Sequence, residues 1–383
     1  MNQKYRSSIT LLGVILGAFV LCGALRGHGQ TDPESASASS LANSPARPRF
    51  EIEEATIASI HATMKNGDLT CHDLVQQYLD RIDAYDKQGP AINSIITINP
   101  KALDRADELD AEFKKSGFTG PLHCIPMIVK DNFNTAGLET TAGNLALAGT
   151  IPPTDAFQVK KIKEAGAIVL AKANLSEFAA SGVESVSSRI PGYVRNPYAL
   201  NRVTAGSSGG TAAAIAANFG AVGLGSDTED SIRGPAAHDS LVGIRSTMGL
   251  TSRAGIVPLD LDRDIGGPMA RSVADAVAVL DVIAGPDPND PVTLASKDKM
   301  ARGGYSQFLQ KDGLKGARIG ILRFLIDKTA DPEVVARFDS AVADMRAQGA
   351  EVIDPFEIPE LEGGTPLVRT LKKENSLVWT RCS

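Results

Sequence analysis

The sequence predicts a single α/β domain with a largely covered β-sheet. Two observations carry this. Short apolar runs of strand length alternate along the chain with stretches of helical period, and neither an internal repeat nor a second linker interrupts them. The 383 residues are 43% hydrophobic and 22% charged, with 36 glycines and 21 prolines, an ordinary globular composition with ample material for a core. A net charge of −6 and 5% aromatics argue against a dedicated nucleic-acid binder, because counterion release requires a basic face. Cys22, Cys71, Cys124 and Cys382 have no metal-ligand or CxxC spacing, and the five histidines form no zinc pattern. No metal is expected, and the cysteines read as isolated buried thiols.

The elements follow in order. Lys4 and Arg6 precede an uncharged run from Ile9 to Ala24. That run is shorter than the roughly 20 residues of a membrane span but suits the apolar region of a secretory signal. Residues 1–30 are therefore expected to be a cleaved signal, which directs the protein to the periplasm or outside the cell. The only membrane attachment this allows is the same segment left uncleaved. Residues 31–49 are rich in Ser, Ala and Pro and read as a flexible spacer, so the fold begins near Phe50. Ile52 to Tyr85 reads as two helices, and Ile92 to Ile98 as a buried strand. Ala102 to Phe113 is a charged helix, and Ile125 to Val129 a strand that runs directly into Lys130. Helix Phe157 to Ala165 and strand Ala167 to Ala171 repeat the alternation. Further on come helix Val273 to Ala284, strand Arg318 to Leu322, helix Val334 to Gln348 and strand Glu351 to Ile353.

The cluster Gly206-Ser207-Ser208-Gly209-Gly210 is the most conspicuous local feature. Alone it would read as a linker. Because it abuts the helix-forming run TAAAIAANF, it reads better as a turn that presents a helix N-terminus, where backbone N–H groups favour negative charge. It also fits the GxSxG nucleophile elbow with Ser208. The only downstream histidine is His238, with Asp227 and Asp230 crowded before it, so that triad is a poor match. No GK[ST] follows, which removes a phosphate-binding loop.

Chain lengths offer Ser207 another partner. From Gly210 the helix advances roughly 14 Å, and Ala221 to Gly225 returns as a strand of roughly 16 Å. The loop Ser226 to Ser231 should come back beside Ser207, so that two serines meet without a histidine. A base is still needed. Lys130 follows five apolar residues, and burial disfavours its ammonium form, which makes it a usable general base.

With these residues in view, GPLHCIPMIVKDNFNTAGLETTAG (120–143), TAGSSGGTAAAIAA (204–217), GSDTEDSIRGPAA (225–237) and GIRSTMGLTSRAGIVP (243–258) resemble the amidase signature family. The likeness covers most of residues 50–360. It implies a central mixed sheet flanked by helices and hydrolysis of a small-molecule carboxamide through a serine–cis-serine–lysine triad, with no metal or cofactor. By motif, Lys130 would be the base, Ser207 the bridging serine in a cis peptide and Ser231 the nucleophile that is acylated. Backbone N–H groups around Thr228, Glu229 and Asp230 would form the oxyanion hole. Ser208, with Asp227 and Arg233, would support the nucleophile loop.

Two departures from the family pattern stand out. Glu229 and Asp230 occupy positions where the family usually has glycines. A carboxylate about 4 Å from the oxyanion would cost on the order of 4 kcal/mol, unless the side chains turn away. The C-terminus is expected to be incomplete: the amidase domain reads as 50–365, and 366–383 reads as an atypical tail of a truncated or frameshifted product. The leading expectation is an amidase that forms an acyl-enzyme on Ser231. A glutaminase-like subunit of a tRNA amidotransferase shares the core, but the signal segment argues against it. A third alternative is an inactive amidase-like binding or scaffold protein. The residues leave substrate identity and oligomeric state open.

Overall fold

The computed structural model describes residues 50–185, 193–326 and 329–358. The expected signal and spacer (1–49) and the expected tail (366–383) lie outside the described residues.

Helix α1, Ile57–Lys65, starts at Thr56, whose hydroxyl accepts from the Ser59 N–H while the Ser59 side chain accepts from the Thr56 N–H. Helix α2, Cys71–Tyr85, is capped by Thr70, whose hydroxyl accepts from the Asp73 N–H, and buries Leu74, Val75, Tyr78 and Ile82 on one face. Strand β1, Ile95–Ile98, is shorter than the apolar run predicts. It is also an edge strand among the described residues, with Ile98 exposed. Helix α3, Ala102–Ser116, has Ala102, Ala106 and Leu109 against the core and its charges outward. Strand β2, Pro126–Lys130, is buried along its whole length. Helix α4, Phe157–Glu164, leads into strand β3, Ile168–Ala173.

A small hairpin follows, β4 (Arg195–Asn196) and β5 (Ala199–Val203). Then come helix α5, Gly209–Ala216, strand β6, Val222–Asp227, helix α6, Arg233–His238, and strand β7, Val242–Gly243. Strand β8, Ile265–Ala270, precedes helix α7, Val273–Ile283, which Ser272 caps. Strand β9 (Arg318–Gly320), helix α8 (Pro332–Ala347) and strand β10 (Glu351–Ile353) form a parallel two-stranded sheet with one helix. Helix α8 buries only Val342 among the described residues.

The main sheet has the order β1-β3-β2-β6-β8-β7. Strands β3, β2 and β6 are parallel, while β1, β8 and β7 each pair antiparallel, so the sheet is mixed and flanked by helices. The register sets Val129 beside Leu224, so β2 and β6 end on the same edge. That edge is where open α/β sheets place their sites, and it carries Lys130 at the end of β2 and Asp227 at the end of β6.

Two features depart from expectation. Strand β8 (IGGPMA) is not among the elements expected from the sequence, yet it pairs with six residues of β6. Its Pro268 is accommodated because on the β7 side only its carbonyl is used, accepting from the Ile244 N–H at 3.1 Å, a bond that needs no N–H from proline. Second, Cys71 and Cys124 are not isolated thiols but a disulfide, with Cα atoms 5.4 Å apart. The two cysteines come together because α2 begins beside the turn that feeds β2, a contact made across 53 residues of sequence.

Candidate active site

Lys130 ends a strand in which all five residues are buried, and its own side chain has no exposed surface. Its Nζ lies 2.7 Å from Ser207 Oγ, 2.9 Å from Ser226 Oγ and 3.1 Å from the Ser226 carbonyl oxygen. Three neutral oxygens thus surround the amine. Burial pulls its pKa down to about 7, against the opposing pull of the Asp227 and Asp264 carboxylates. Near neutrality the amine can accept a proton.

The peptide bond between Gly206 and Ser207 is cis. The Ser207 carbonyl accepts from the Ser176 N–H at 3.2 Å, and the Gly206 N–H donates to Gly182 O at 2.9 Å, so the turn is held from both sides. The Gly-rich run is not a linker. A Cβ on Gly210 would run into the backbone of Asn174, so only glycine lets helix α5 start this close to β3. Ser208 spans the gap to the next strand: its hydroxyl donates to Ser226 O at 3.1 Å and accepts from Ser226 N–H at 3.3 Å.

The loop after β6 returns beside this turn, and the Ser208 N–H donates to Ser231 O at 3.2 Å. Asp227 braces the loop. Its Oδ2 accepts from the Ile232 N–H at 3.0 Å and from Arg233 Nε at 3.1 Å. Its Oδ1 accepts from Arg245 Nη1 at 2.9 Å. Arg233 also donates to Glu229 O. Ser231 is 4% exposed, and its hydroxyl has no hydrogen-bond partner among the described residues. It lines a cavity of about 320 Å³ together with Ala179, Gly182 and the segment Thr228 to Asp230.

Lys130 and Ser207 are therefore in direct contact, and Ser231 is joined to the same turn through the backbone. Glu229 turns aside to pair with Arg263 Nη1 at 2.9 Å. Asp230 packs its carboxylate against Gly182 and Gly234, where a Cβ would crowd it. Burial, with Asp227 nearby, pushes the Asp230 carboxyl up to about 7. Neither Glu229 nor Asp230 is among the described non-glycine residues with positive φ, so this turn does not require the glycine conformation. The N–H groups of Glu229 and Ser231 have no intramolecular acceptor among the described residues, which leaves them free to face an oxyanion. Thr228 donates its hydroxyl to Asp264 Oδ1 at 2.5 Å.

Sequence reasoning misses Ser226, whose hydroxyl accepts from both Lys130 and Asn132, the latter at 3.0 Å. Asn132 has only its nearness in sequence to Lys130 as a signal: it sits in the turn that follows β2, which the Phe133 N–H closes by donating to Lys130 O at 3.0 Å. Asp264 has none, since it reaches the site from beside the unrecognised strand β8; Arg245 lies in the 243–258 motif after β7, but nothing local ties it to Asp227. The lysine signal itself proves ambiguous. Lys172 also ends an apolar strand, yet it forms a buried ion pair with Asp131 at 2.9 Å and is bonded to Phe133 O and Thr140 Oγ1.

Comparison with known proteins finds relatives over most of the chain. The amidase family profile matches residues 73–374. A "probable amidase" of Arabidopsis thaliana is 40% identical over 327 residues, covering 82% of this chain and 61% of that protein. A glutamyl-tRNA(Gln) amidotransferase component from Thermoanaerobacter pseudethanolicus is 37% identical over 319 residues, 83% of this chain and 63% of that one. The crystal structure of the peptide amidase from Stenotrophomonas maltophilia superposes with a TM-score of 0.74 at 43% identity, covering 80% of this chain and 63% of that chain. The chain thus spans about three fifths of the length of the curated relatives it matches. The chain belongs to the amidase signature family.

Proposed function

We propose that this protein hydrolyses a carboxamide C–N bond, releasing a carboxylate and ammonia or an amine. The observation that carries the reading is the 2.7 Å contact between the buried Lys130 amine and Ser207 Oγ, next to the loop that presents Ser231 to a cavity. Neutral Lys130 takes the Ser207 proton as Ser207 takes the Ser231 proton, and Ser231 Oγ attacks the carbonyl carbon. The oxyanion that forms faces the free N–H groups of the 229–231 turn. Collapse breaks the C–N bond, and the proton held by Lys130 returns through Ser207 to the leaving nitrogen. Water then attacks the Ser231 ester by the same relay in reverse and restores the hydroxyl. The similarity to peptide amidase supports an amide of modest size as substrate.

The catalytic domain is taken as residues 50–365. The Cys71–Cys124 disulfide supports an oxidising compartment, periplasmic or extracellular, because such bonds do not persist in a reducing cytosol. A second reading, an amidase-like binding protein without turnover, is favoured by the Asp230 carboxylate that lines the cavity beside Ser231. A fluorophosphonate probe separates the two. Labelling of the wild type that disappears in Ser231→Ala and in Lys130→Ala is expected; a folded wild type that takes no label supports the binding protein.

A further inference from the structure

The cavity beside Ser231 has an unusual balance of charge. Glu229, Asp230, Asp260 and Arg263 line it, three carboxylates against one guanidinium. That guanidinium is already engaged, with Asp260 at 2.8 Å and Glu229 at 2.9 Å. Nearby Arg233 and Arg245 are turned to Asp227. Asp230 is therefore the lining carboxylate left without an ion-pair partner among the described residues, one residue from the nucleophile.

We propose that the pocket selects α-amino carboxamides, with Asp230 as the specificity-determining residue that receives the substrate's α-ammonium. The proposal rests on the amidase reading of the same site. Chemistry gives the match. An α-ammonium is separated from the scissile carbonyl by a single carbon, as the Asp230 side chain is separated from Ser231 by adjacent backbone. The cation reaches the carboxylate only when the carbonyl is at the nucleophile. The same pairing removes the penalty that a bare carboxylate imposes on the oxyanion, so Asp230 favours ammonium-bearing amides and opposes neutral ones. Burial and the neighbouring Asp227 hold the free Asp230 carboxyl at about 7, and an arriving ammonium keeps it ionised.

The test uses leucinamide and 4-methylpentanamide, which differ only in the α-ammonium. Binding to the full chain carrying Ser231→Ala, measured by calorimetry at low salt, is expected to favour leucinamide about tenfold, as for one partly screened charge pair. The preference should shrink as salt rises. Equal affinities overturn the proposal whether or not the wild type is an enzyme. Turnover by the wild type reports separately on the amidase reading: absence of turnover on both amides, with leucinamide still preferred by Ser231→Ala, refutes hydrolysis but keeps the ligand class. In an otherwise wild-type chain, Asp230→Asn is expected to lower kcat/KM for leucinamide and raise it for 4-methylpentanamide. A parallel fall on both amides would show that Asp230 acts on structure and not on specificity.

Discussion

The Lys130 amine can be read by two independent assays, and both follow from its surroundings. Its pKa moves from 10.5 to about 7 because the fully buried site disfavours the ammonium and offers only neutral oxygens in contact. In kinetics, the base must be neutral, so kcat/KM should fall tenfold per pH unit below about 7. At pH 5 it should stand at about 1% of its plateau. In stability, the unfolded chain binds a proton on this lysine throughout the window from pH 7 to 10.5, while the folded chain does not. Stability must therefore rise with pH in that window, at about 1.4 kcal/mol per pH unit. Below pH 7 both states are protonated and this contribution no longer changes with pH.

Lys130→Met removes the titrating group while keeping a long apolar side chain. Between pH 7.0 and 9.5 the wild type should gain about 3 kcal/mol of unfolding free energy relative to Lys130→Met, a figure integrated across the two pKa values. The absolute difference at any one pH also contains the bonds lost at Ser207 and Ser226, so the change with pH is the quantity to measure. Urea unfolding at the two pH values, followed by circular dichroism, suffices. Parallel pH dependence of the two proteins would refute a neutral buried amine, and with it the assignment of Lys130 as base. Loss of the stability slope with a pH-independent rate would instead place the base elsewhere.

Three more predictions rest on the same physics. Asp239 is buried, neither carboxylate oxygen has a partner among the described residues, and burial pushes its carboxyl up to about 8. Stability is then lost as pH rises from about 4 to 8, and Asp239→Asn should be more stable than wild type at pH 8 by several kcal/mol; calorimetric melts that coincide at that pH would refute this. Reduction of the Cys71–Cys124 disulfide should lower stability by about 4 kcal/mol for a loop of this length, read by urea unfolding with and without reductant. Ser226→Ala removes an acceptor from Lys130 Nζ that favours the charged amine, so the acidic limb of the pH–rate profile should move to lower pH.

Much of the fold is legible in the residues because the signals are local. Helices α2, α3 and α7 declare themselves by period, and β2 and β3 by apolar runs with no polar interruption before their lysines. Strand β8 is not legible, since Gly266, Gly267 and Pro268 are individually poor strand formers and the glycines serve to admit Gln158 and the Ile244 backbone at close range. The disulfide is equally hidden, because nothing local relates Cys71 to Cys124. Of the site, Lys130 and the two serines follow from an apolar run, a turn and the matching lengths of α5 and β6. The residues that tune them, Ser226, Asp264 and Arg245, depend on which strands become neighbours, which no short window contains.

The two buried lysines show why contact chemistry, and not burial, identifies a base. Lys130 and Lys172 lie on adjacent parallel strands, β2 and β3, and both are fully buried. Lys172 touches the Asp131 carboxylate at 2.9 Å, so loss of its proton would leave an unpaired negative charge in the core. Such a lysine is a structural cation. The Lys130 amine touches two hydroxyls and a carbonyl, none of which gains a net charge when the proton leaves. The two carboxylates whose charge acts on it are occupied elsewhere: Asp227 holds Arg233 and Arg245, and Asp264 holds Thr228 and the N–H groups of Leu259 and Asp260. A core that serves stability alone would supply an amine in this position with a carboxylate, as it does one strand away. Leaving the charge unmatched costs stability at neutral pH, and the return is a proton acceptor in contact with Ser207 and one turn from Ser231. Local rules of burial are broken here and kept at Lys172, and that contrast is what supports the proposed base at the end of β2.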